Sequence, residues 1–444
     1  MADKTENAMK KMVDLMTVSH YGGMQMVRRF HCAHGTSLCS LRVMSMGGLF
    51  LLFTLTAGAQ SLDSLRNLLR ENNPELRALA IDYRAALAIN PQLSQLPDLE
   101  IGAGLSILPV ETRLGPQRAR VMVTQMLPWP GTLAAMAALA DARAQPILEE
   151  AAARQLELIY LLEITYYGIL TTEEQIAALE ESLDLYGSLQ RLAVARVENS
   201  RGSSVEVYRT EIQLTATRRR IEELRSEQAM AWTTIEELVT EELLRRAVPV
   251  NEPPVRVIPA QLPDDGHPLL RIFTLQEEVS WQAIALNELA GRPAFGIGVD
   301  YVVTGRRSDM DPAGNGRDAI LPRVMVRVPL SGGQYRAKRD EERLRLQSIA
   351  VRRVSVTNQL DAALERADIA RRDAAARRNY LQEQARTVDA ALTIARSEYA
   401  NSRRPFDEVI RLLDQLIEYR LQALEAQLSL YTQAAAVDRY LPQR

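Results

Sequence analysis

Two spacings of apolar residues occur along the chain, and each predicts a different kind of element. Over long stretches apolar residues recur every three or four positions, as they do at 176–192 and 413–431. This spacing is typical of helices that bury an apolar stripe against a partner helix along most of their length. Four shorter segments alternate apolar and polar residues instead, and this period of two indicates β-strands with two unlike faces. The pattern therefore predicts very long helices combined with a few strands.

The predicted strands form two pairs, each joined by a polar loop that contains Gly and Pro. One face of these strands is apolar, while the other carries glycines and a few charged residues; Gln125 interrupts the apolar face of the second strand. The strands are Leu99–Ile107, Arg120–Leu127, Phe295–Val303 and Arg323–Leu330, and the loops are 108–119 and 304–321. Alternation is equally typical of a half-buried strand in a soluble sheet, so the strands alone leave both environments open.

One structural plan occurs twice in the sequence. Arg-Val-Met-Val begins at Arg120 and again at Arg323, 203 residues later, and Asn-Ser-Arg begins at Asn199 and again at Asn401, 202 residues later. Two matches with nearly equal offsets indicate an internal duplication. Each copy is expected to contain a helix of about twenty residues, a β-hairpin, a very long helix, a tight turn and a second long helix.

The duplication predicts a leader and two structural repeats. The leader covers 1–59, the first repeat 60–250 and the second repeat 251–444, with a Pro-rich junction at 248–263. The β-hairpins are expected at 98–128 and 294–330, and the turns between the long helices near 199–203 and 401–405.

The long helices of the two copies differ in their helix breakers. Neither Gly nor Pro occurs between Gly333 and Pro405, and a helix that fills this interval would be roughly 100 Å long. In the first copy Pro146, Gly168 and Gly187 interrupt the pattern, and a bend is expected there.

The leader has the parts of a secretory signal peptide. An apolar run at 46–59 follows Arg42 and ends in the small residues Ala57 to Ala59. The run is too short to span a bilayer permanently, and cleavage is predicted after Ala59. The alternative, a buried core helix, is disfavoured by the paired glycines within the run.

Charge and reactive side chains exclude several classes of function. Lys and Arg number 53 and Asp and Glu 56, for a net charge of -3, so no nucleic-acid partner is expected because phosphate binding needs an excess of positive charge. Cysteine occurs only at Cys32 and Cys39, and His267 is the only histidine after residue 40. The mature chain would lack the groups for a thiolate zinc site or a Ser-His-Asp triad. No enzyme activity, catalytic residue, cofactor or metal site is therefore predicted.

Strand length and sheet closure favour a membrane for the strands. Nine or ten residues is the length that a tilted strand needs to cross a bilayer, and lipid does not tolerate an open sheet edge. Because barrels begin near eight strands, the four strands of one chain cannot close on themselves. Several copies must then share one barrel, which predicts a homo-oligomer.

In its order of elements the chain resembles the TolC-like outer membrane efflux proteins, also known as outer membrane factors. The resemblance covers about 60–441 and includes the Asn-Pro-Glu-Leu opening at Asn73, the Gln125–Gly131 exit into the first long helix and its counterpart Val326–Gly333. It implies a mainly α fold with a β part: antiparallel helical hairpins that form an α-barrel, and four transmembrane strands per chain in a shared 12-stranded barrel of a trimer.

The same resemblance implies a passive exit duct in the cell outer membrane, with its helices in the periplasm. Cargo would reach it from an inner-membrane transporter through a periplasmic adaptor, as in tripartite efflux or type I secretion. Its implied partners are two further copies of the chain, the adaptor, the transporter and outer membrane lipid. Nothing in the sequence selects metal ions, drugs or proteins as the cargo.

Three groups of site residues are predicted, and the first two follow from the resemblance. The periplasmic gate would use Tyr399, Arg404, Glu408 and Glu206, with Arg404 pairing a carboxylate of a neighbouring hairpin; Arg411 replaces an acid expected one turn after Glu408. The adaptor would dock on the tips at Arg201, Gly202, Ser203 and Arg403, where glycine permits the reversal and serine can cap the next helix. Apart from the resemblance, the inward face of the strands would line the barrel lumen with Glu100, Asp300, Arg323 and Arg327, and a solvent-facing polar residue is an equal alternative for each of them.

Two other function classes remain as alternatives. A periplasmic coiled-coil adaptor without a membrane barrel also has helical hairpins, but usually one hairpin among Gly-rich β domains. A cytoplasmic enzyme would need the leader to be a core helix and a catalytic set with almost no histidine. Extraction without detergent would indicate the adaptor, and an intact first residue would indicate the cytoplasmic enzyme.

Overall fold

The computed structural model describes residues 61–259, 262–263 and 266–442. The predicted leader and its cleavage site after Ala59 lie outside these residues, as do both cysteines. The described chain is mostly helical and contains one four-stranded antiparallel sheet. This confirms the prediction of a mainly α fold with a small β part.

The helices and strands follow the same order in both halves of the chain. In chain order they are α1 (Leu62–Asn72), α2 (Pro74–Leu87), α3 (Asn90–Leu93), β1 (Glu100–Thr112), β2 (Gly115–Leu127), α4 (Thr132–Glu198), α5 (Ser204–Val239), α6 (Pro268–Ala290), β3 (Ala294–Thr304), β4 (Ala319–Arg327), α7 (Gly333–Ala400) and α8 (Phe406–Tyr440). The division into repeats at 60–250 and 251–444 remains an interpretation of this order.

The opening of the first half differs from the expected single helix of about twenty residues. Asn73 ends α1 and begins α2, because its side-chain oxygen accepts hydrogen bonds from the backbone N–H groups of Glu75 and Leu76. Pro74 follows at the first helical position, where its missing N–H costs nothing. The Asn73 amide also donates to the carbonyl of Leu238, so this helix boundary is fixed to the end of α5.

The two longest helices, α4 and α7, contain 67 and 68 residues. Each is therefore roughly 100 Å long. The breakers in the first of them do not end the helix, because α4 continues through Pro146, which is buried, and the bend expected there stays a prediction. Contacts of α4 with α6 and with the helices beside it hold the chain helical at this position, despite the hydrogen bond that proline removes.

The long helices pack side by side in the order α5, α4, α8, α7. Each neighbouring pair in this order is in contact, and α6 bridges α4 and α7 at the end nearest the sheet. One apolar cluster, around Leu162, Tyr166 and Ile235, joins α1, α4 and α5. Another, around Leu189 and Leu413, lies toward the turns that connect the helices. The helices α5 and α7 thus form the two outer edges of this layer.

The strands form a sheet in the order β1-β2-β3-β4, and every neighbouring pair is antiparallel. The first hairpin is longer than predicted, since most of the expected loop at 108–119 is strand. Pro109 lies in a register irregularity between Leu105 and Val110 on the edge strand β1, a place where proline is tolerated. In the second hairpin β4 ends at Arg327 rather than at Leu330. The edges of β1 and β4 have no strand beside them in the described chain.

The cross-strand register gives the sheet two unlike faces. Ile101, Val123 and Val299 lie in register on one face, and large apolar side chains on this face are exposed. They are Ile101, Leu105, Val121, Phe295, Ile297, Val299, Tyr301, Ile320, Val324 and Val326. The opposite face carries glycine, methionine and charged side chains. No helix in the described part of the chain is both long and apolar enough to cross a membrane.

Candidate functional site

The two turns between the long helices have the same backbone conformation. Ser200 and Ser402 both adopt left-handed φ angles, 56° and 58°. In each turn the residue after this serine donates its backbone N–H to a carbonyl five residues earlier, Arg201 to Arg196 and Arg403 to Glu398. The repeated Asn-Ser-Arg sequence therefore encodes one turn, used twice.

Gly202 has a different role from the one expected. The reversal occurs at Ser200, not at Gly202, which has no left-handed φ angle. A Cβ atom on Gly202 would lie 2.9 Å from Cβ of Arg196, so glycine is needed here for the close approach of the chain to the end of α4. Ser203 then caps α5, since its hydroxyl accepts from the backbone N–H of Val205.

A hydrogen bond from Tyr399 to Glu206 connects the two helical hairpins at their tips. The Tyr399 hydroxyl donates to Glu206 Oε2 over 2.6 Å. Tyr399 is fully buried at the end of α7 and packs edge-on against Phe406. Burial and the neighbouring carboxylate raise the pKa of Tyr399 well above its usual range, so the phenol keeps its proton. This bond joins the end of α7 to the first turn of α5.

Arg196 reinforces this junction, although nothing in the sequence analysis identified it. Its guanidinium lies over the Tyr399 ring, 4.3 Å from the centroid, a distance suited to a cation–π interaction. It also donates to the carbonyl of Tyr399, to the Ser402 hydroxyl and to the carbonyl of Arg201. A basic residue in the last turn of a helix often binds nearby carbonyls, and Arg196 was identifiable by that signal. One side chain thus contacts both turns.

Arg404 binds two carboxylates of its own hairpin. It forms ion pairs with Glu398 at the end of α7 and with Glu408 in the first turn of α8. All three side chains are about one-third exposed, so the pairs reach solvent. The expected partner was a carboxylate of a neighbouring hairpin; in this chain both partners lie on either side of the turn that contains Arg404. Arg411, three residues after Glu408, is exposed.

Further polar contacts join the hairpins beyond the turns. Arg209 of α5 forms an ion pair with Asp407 of α8. The Tyr186 hydroxyl of α4 donates to Asp414 of α8, and burial raises the pKa of this carboxyl even though the Tyr186 bond lowers it. The hairpin tips are therefore held together by several polar bonds rather than by one.

The predicted docking residues lie at the outside of the tips. Arg201, Ser203 and Arg403 are exposed, and Gly202 is partly exposed. Neither arginine side chain takes part in the bonds around Tyr399. Arg201 contributes only its backbone carbonyl, which accepts from Arg196. These residues therefore form a surface of positive charge beside the buried bonds.

The second candidate site is the polar face of the sheet. Asp300 is almost completely buried between Arg120 and Arg323, which both form ion pairs with it. Arg323 also donates to the Thr124 hydroxyl over 2.7 Å. Two of the four predicted lumen residues are thus in one cluster, and Arg120 belongs to it although it was not predicted as a site residue. Its equivalence to Arg323 in the repeated Arg-Val-Met-Val sequence could have identified it.

The remaining two predicted lumen residues lie apart. Glu100 is exposed at the start of β1, and Arg327 is exposed at the end of β4. Within the described residues neither side chain forms a hydrogen bond or an ion pair. In the same part of the chain no group of three or more His, Cys, Asp or Glu side chains could hold a metal ion.

Comparisons with known proteins agree with this architecture. A family model described as outer membrane efflux protein matches residues 65–240. No curated protein matches the chain. Among solved structures, CusC, described in terms of folding and transmembrane channel formation, has 17% identity and a TM-score of 0.71 over 86% of this chain and 91% of CusC.

Two further solved structures have the same fold. The CmeC outer membrane channel of Campylobacter jejuni has 13% identity and a TM-score of 0.67, covering 86% of this chain and 85% of CmeC. The open state of the MtrE outer membrane channel of Neisseria gonorrhoeae has 16% identity and a TM-score of 0.63, covering 86% and 88%. At these identities the likeness shows the fold alone.

Proposed function

Because residues 65–240 match a family model described as outer membrane efflux protein, we propose that this chain is the outer membrane exit duct of a tripartite efflux or type I secretion system. The duct is passive: it receives solute from an inner-membrane transporter through a periplasmic adaptor, and the transporter supplies the energy. The helices lie in the periplasm and the sheet in the outer membrane. Neither the fold nor the relatives described above support the alternative of a periplasmic adaptor.

The observation that carries this proposal is the two-faced sheet. One face exposes a continuous set of large apolar side chains, including Leu105 at 84% and Val324 at 75% exposure. Exposed apolar area of this extent is unfavourable in water. In a bilayer the same face contacts acyl chains, while the face with Arg120, Asp300 and Arg323 lines a water-filled lumen. Lipid is therefore a partner of the apolar face.

A ring of copies removes the open edges of both layers. The sheet ends in β1 on one side and in β4 on the other, and the helical layer ends in α5 and α7. When unlike edges meet, the interface is head-to-tail, and a closed ring leaves no edge exposed. Three copies supply twelve strands, one of the numbers that can close a barrel. The homotrimer that the family resemblance implies is therefore the assembly proposed.

The edge helices have surfaces that suit such a contact. On α5 and α7 exposed apolar residues recur at helical spacing along one side of each helix. These residues are Val205, Tyr208, Ile212 and Met230 on α5, and Leu344, Val351, Val354, Ile369, Tyr380 and Ile394 on α7. The charges are complementary, since α5 has a net charge of −2 and α7 of +4. Opposite charge along an interface selects the unlike edge as its partner.

The contacts at the hairpin tips support an entrance that is closed in this conformation. Tyr399 holds the second hairpin to the first through Glu206, and Arg404 stiffens the second turn through Glu398 and Glu408. Opening requires these bonds to break, which the docking of an adaptor on Arg201, Gly202, Ser203 and Arg403 would promote. The exposed Arg411 makes an acidic cation-binding ring at this level unfavourable.

Reconstitution tests the proposal directly. The mature chain from residue 60 is expressed with an export leader, extracted from outer membranes with detergent and inserted into planar bilayers. We expect a detergent-dependent oligomer with discrete, low single-channel conductance that rises when the tip contacts are removed. A water-soluble monomer without channel activity would contradict the proposal, and so would a protein that fractionates with the cytoplasm.

A further inference from the structure

Two charged side chains on the polar face of the sheet, neither of them bonded within the described residues, lie on its opposite edges. Glu100 begins the edge strand β1, and Arg327 ends the edge strand β4. The register places both on the same face as Asp300: Glu100 aligns with Thr124, Thr124 with Gly298 and Gly298 with Arg323, and Arg327 follows Arg323 by four residues. An acid and a base thus lie on one face, each at an edge.

Both residues also lie at the same end of the sheet. Because β1 and β4 are antiparallel in this four-stranded order, the first residue of β1 and the last residue of β4 are at the end from which the helices continue. Arg323, the other base on β4, is already bound to Asp300 and Thr124. Arg327 is therefore the base that remains available at this edge.

We infer that Glu100 of one copy forms an ion pair with Arg327 of the next copy across the seam of the barrel. This inference rests on the proposed function, because it requires that β1 and β4 of different copies become neighbours. An antiparallel seam that keeps the apolar faces together places residues of the Glu100 face opposite residues of the Arg327 face. Cross-strand neighbours are then about 5 Å apart and diagonal ones about 7–8 Å, within reach of an arginine.

The surroundings of Glu100 leave room for the incoming guanidinium. The next two residues on this face of β1 are Gly102 and Gly104; the Met122 side chain lies over Gly102, where a Cβ atom would be 2.9 Å from Met122 Cγ. Open space surrounds Gly104, since a Cβ atom there would meet no atom within 4 Å. With Arg327 opposite Glu100 or opposite Gly102, the pair forms directly or diagonally.

The pair would specify which edges join. An arginine beside another arginine, or a glutamate beside another glutamate, is unfavourable across a strand pair, so β4 would reject β4 and β1 would reject β1. The contact lies at the lumen face of the seam, where water and salt weaken it. We therefore expect a modest effect for each seam, about two- to fivefold in the association constant, and the effect multiplies over the seams of the ring.

Charge exchange tests the inference in the full-length mature protein. The variants are E100R, R327E and the double exchange E100R/R327E, each extracted from outer membranes in mild detergent. The measurement is the temperature at which the oligomer dissociates, read as bands on a gel without prior boiling. We expect both single variants to dissociate at a lower temperature and the double variant to recover most of the loss.

A matched control uses the other acid of the same strand. Glu111 is exposed near the opposite end of β1, about 36 Å from Glu100 at strand rise, so E111R combined with R327E should not recover stability. If R327E is rescued equally by E111R, or not rescued by E100R, the ion pair is wrong although the trimer stands. A wild-type protein that is monomeric in every detergent would overturn the proposed function together with the seam. Assembly of the double variant alone, when both single variants fail to assemble, would support the pair.

Discussion

The hydroxyl of Tyr399 at the end of α7 donates to the carboxylate of Glu206 in the first turn of α5, and this bond joins two hairpins that are 193 residues apart in sequence. Both ends of the bond are held in place: Tyr399 is fully buried between Arg196 and Phe406, and Glu206 follows the cap at Ser203. A short polar bond between two rigid helix ends is suited to hold the entrance closed, because it can break without unfolding either helix.

Removal of the Tyr399 hydroxyl alone should weaken the contact between the two hairpin tips. In Y399F the ring remains under Arg196 and against Phe406, but Glu206 loses its donor. We expect a higher single-channel conductance in planar bilayers, and a loss of about 1 kcal/mol in the free energy of unfolding, typical of one hydrogen bond. The matched control is Y380F, because Tyr380 is exposed on the same helix. Equal conductance of Y399F and wild type would show that the bond does not restrict the entrance.

Arg196 should act through the same junction. R196A removes the cation–π contact and the bonds to both turns, so we expect it to raise conductance and to destabilise the tips by about 1–3 kcal/mol. The double variant R196A/Y399F should be less destabilised than the sum of the single variants, because residues in contact are not additive. R191A, at an exposed position of the same helix, is the control. Strict additivity by thermal unfolding would mean that Arg196 and Tyr399 do not act as one unit.

The large features of this fold follow from sequence patterns, because they depend on periodicity. The absence of helix breakers after Gly333 predicted α7, and alternation predicted the two faces of the sheet. The continuity of α4 through Pro146 could not be predicted in the same way, since packing against α6 and the neighbouring helices decides it. Strand ends depended on whether Pro109 falls on an edge strand, which only the sheet order reveals.

The tips show a second limit of sequence reasoning. The repeated Asn-Ser-Arg sequence predicted two equivalent turns, but the left-handed residue is Ser200 rather than Gly202, two positions later. Its place in the last turn of α4 indicates that Arg196 binds carbonyls of its own turn, but its bonds to Tyr399 and Ser402 reach the other half of the chain. Contacts of this kind depend on how two long helices align at their ends, which short motifs do not encode.

The helices α2 and α6 begin with the same kind of cap. Asn73 and His267 each precede a proline, and each side chain accepts a hydrogen bond from the backbone of the following helix. An imidazole can cap a helix in this way only when its accepting nitrogen is unprotonated. The proline after each residue is visible in the sequence, whereas the pH-sensitive nature of the second cap required the structure.

The stability of the chain should therefore depend on the protonation of His267. Burial lowers the pKa of His267 from 6.5 to about 4, and nearby Arg271 contributes in the same direction, against a backbone hydrogen bond to Arg439. Below about pH 6.5 the unfolded chain binds a proton that the folded chain does not bind until about pH 4. The free energy of unfolding should fall over this window, by at most about 3 kcal/mol.

The variant H267N separates this effect from the titration of other groups. Asparagine caps α2 at the equivalent position, so H267N should retain the fold near neutral pH and lose part of the acid sensitivity. Denaturant unfolding of both proteins at pH 7.5 and pH 4.5 gives the comparison. If both proteins lose the same stability between these values, protonation of His267 does not contribute.

Removal of one partner of the buried pair Arg66 and Glu163 should destabilise the fold, whereas replacement of both partners by apolar residues should cost little. Glu163 of α4 is 5% exposed, and Arg66 of α1 binds it at 2.7 Å; burial raises the pKa of Glu163, although Arg66 opposes the shift. R66M leaves a buried carboxylate without its base and should cost about 3–5 kcal/mol of unfolding free energy, whereas R66M/E163L should recover most of this loss. The control R70M alters an exposed contact within the same helix and should cost less than about 0.5 kcal/mol. A double variant as unstable as R66M would show that the site needs the charges themselves, for example to fix how α1 docks on α4.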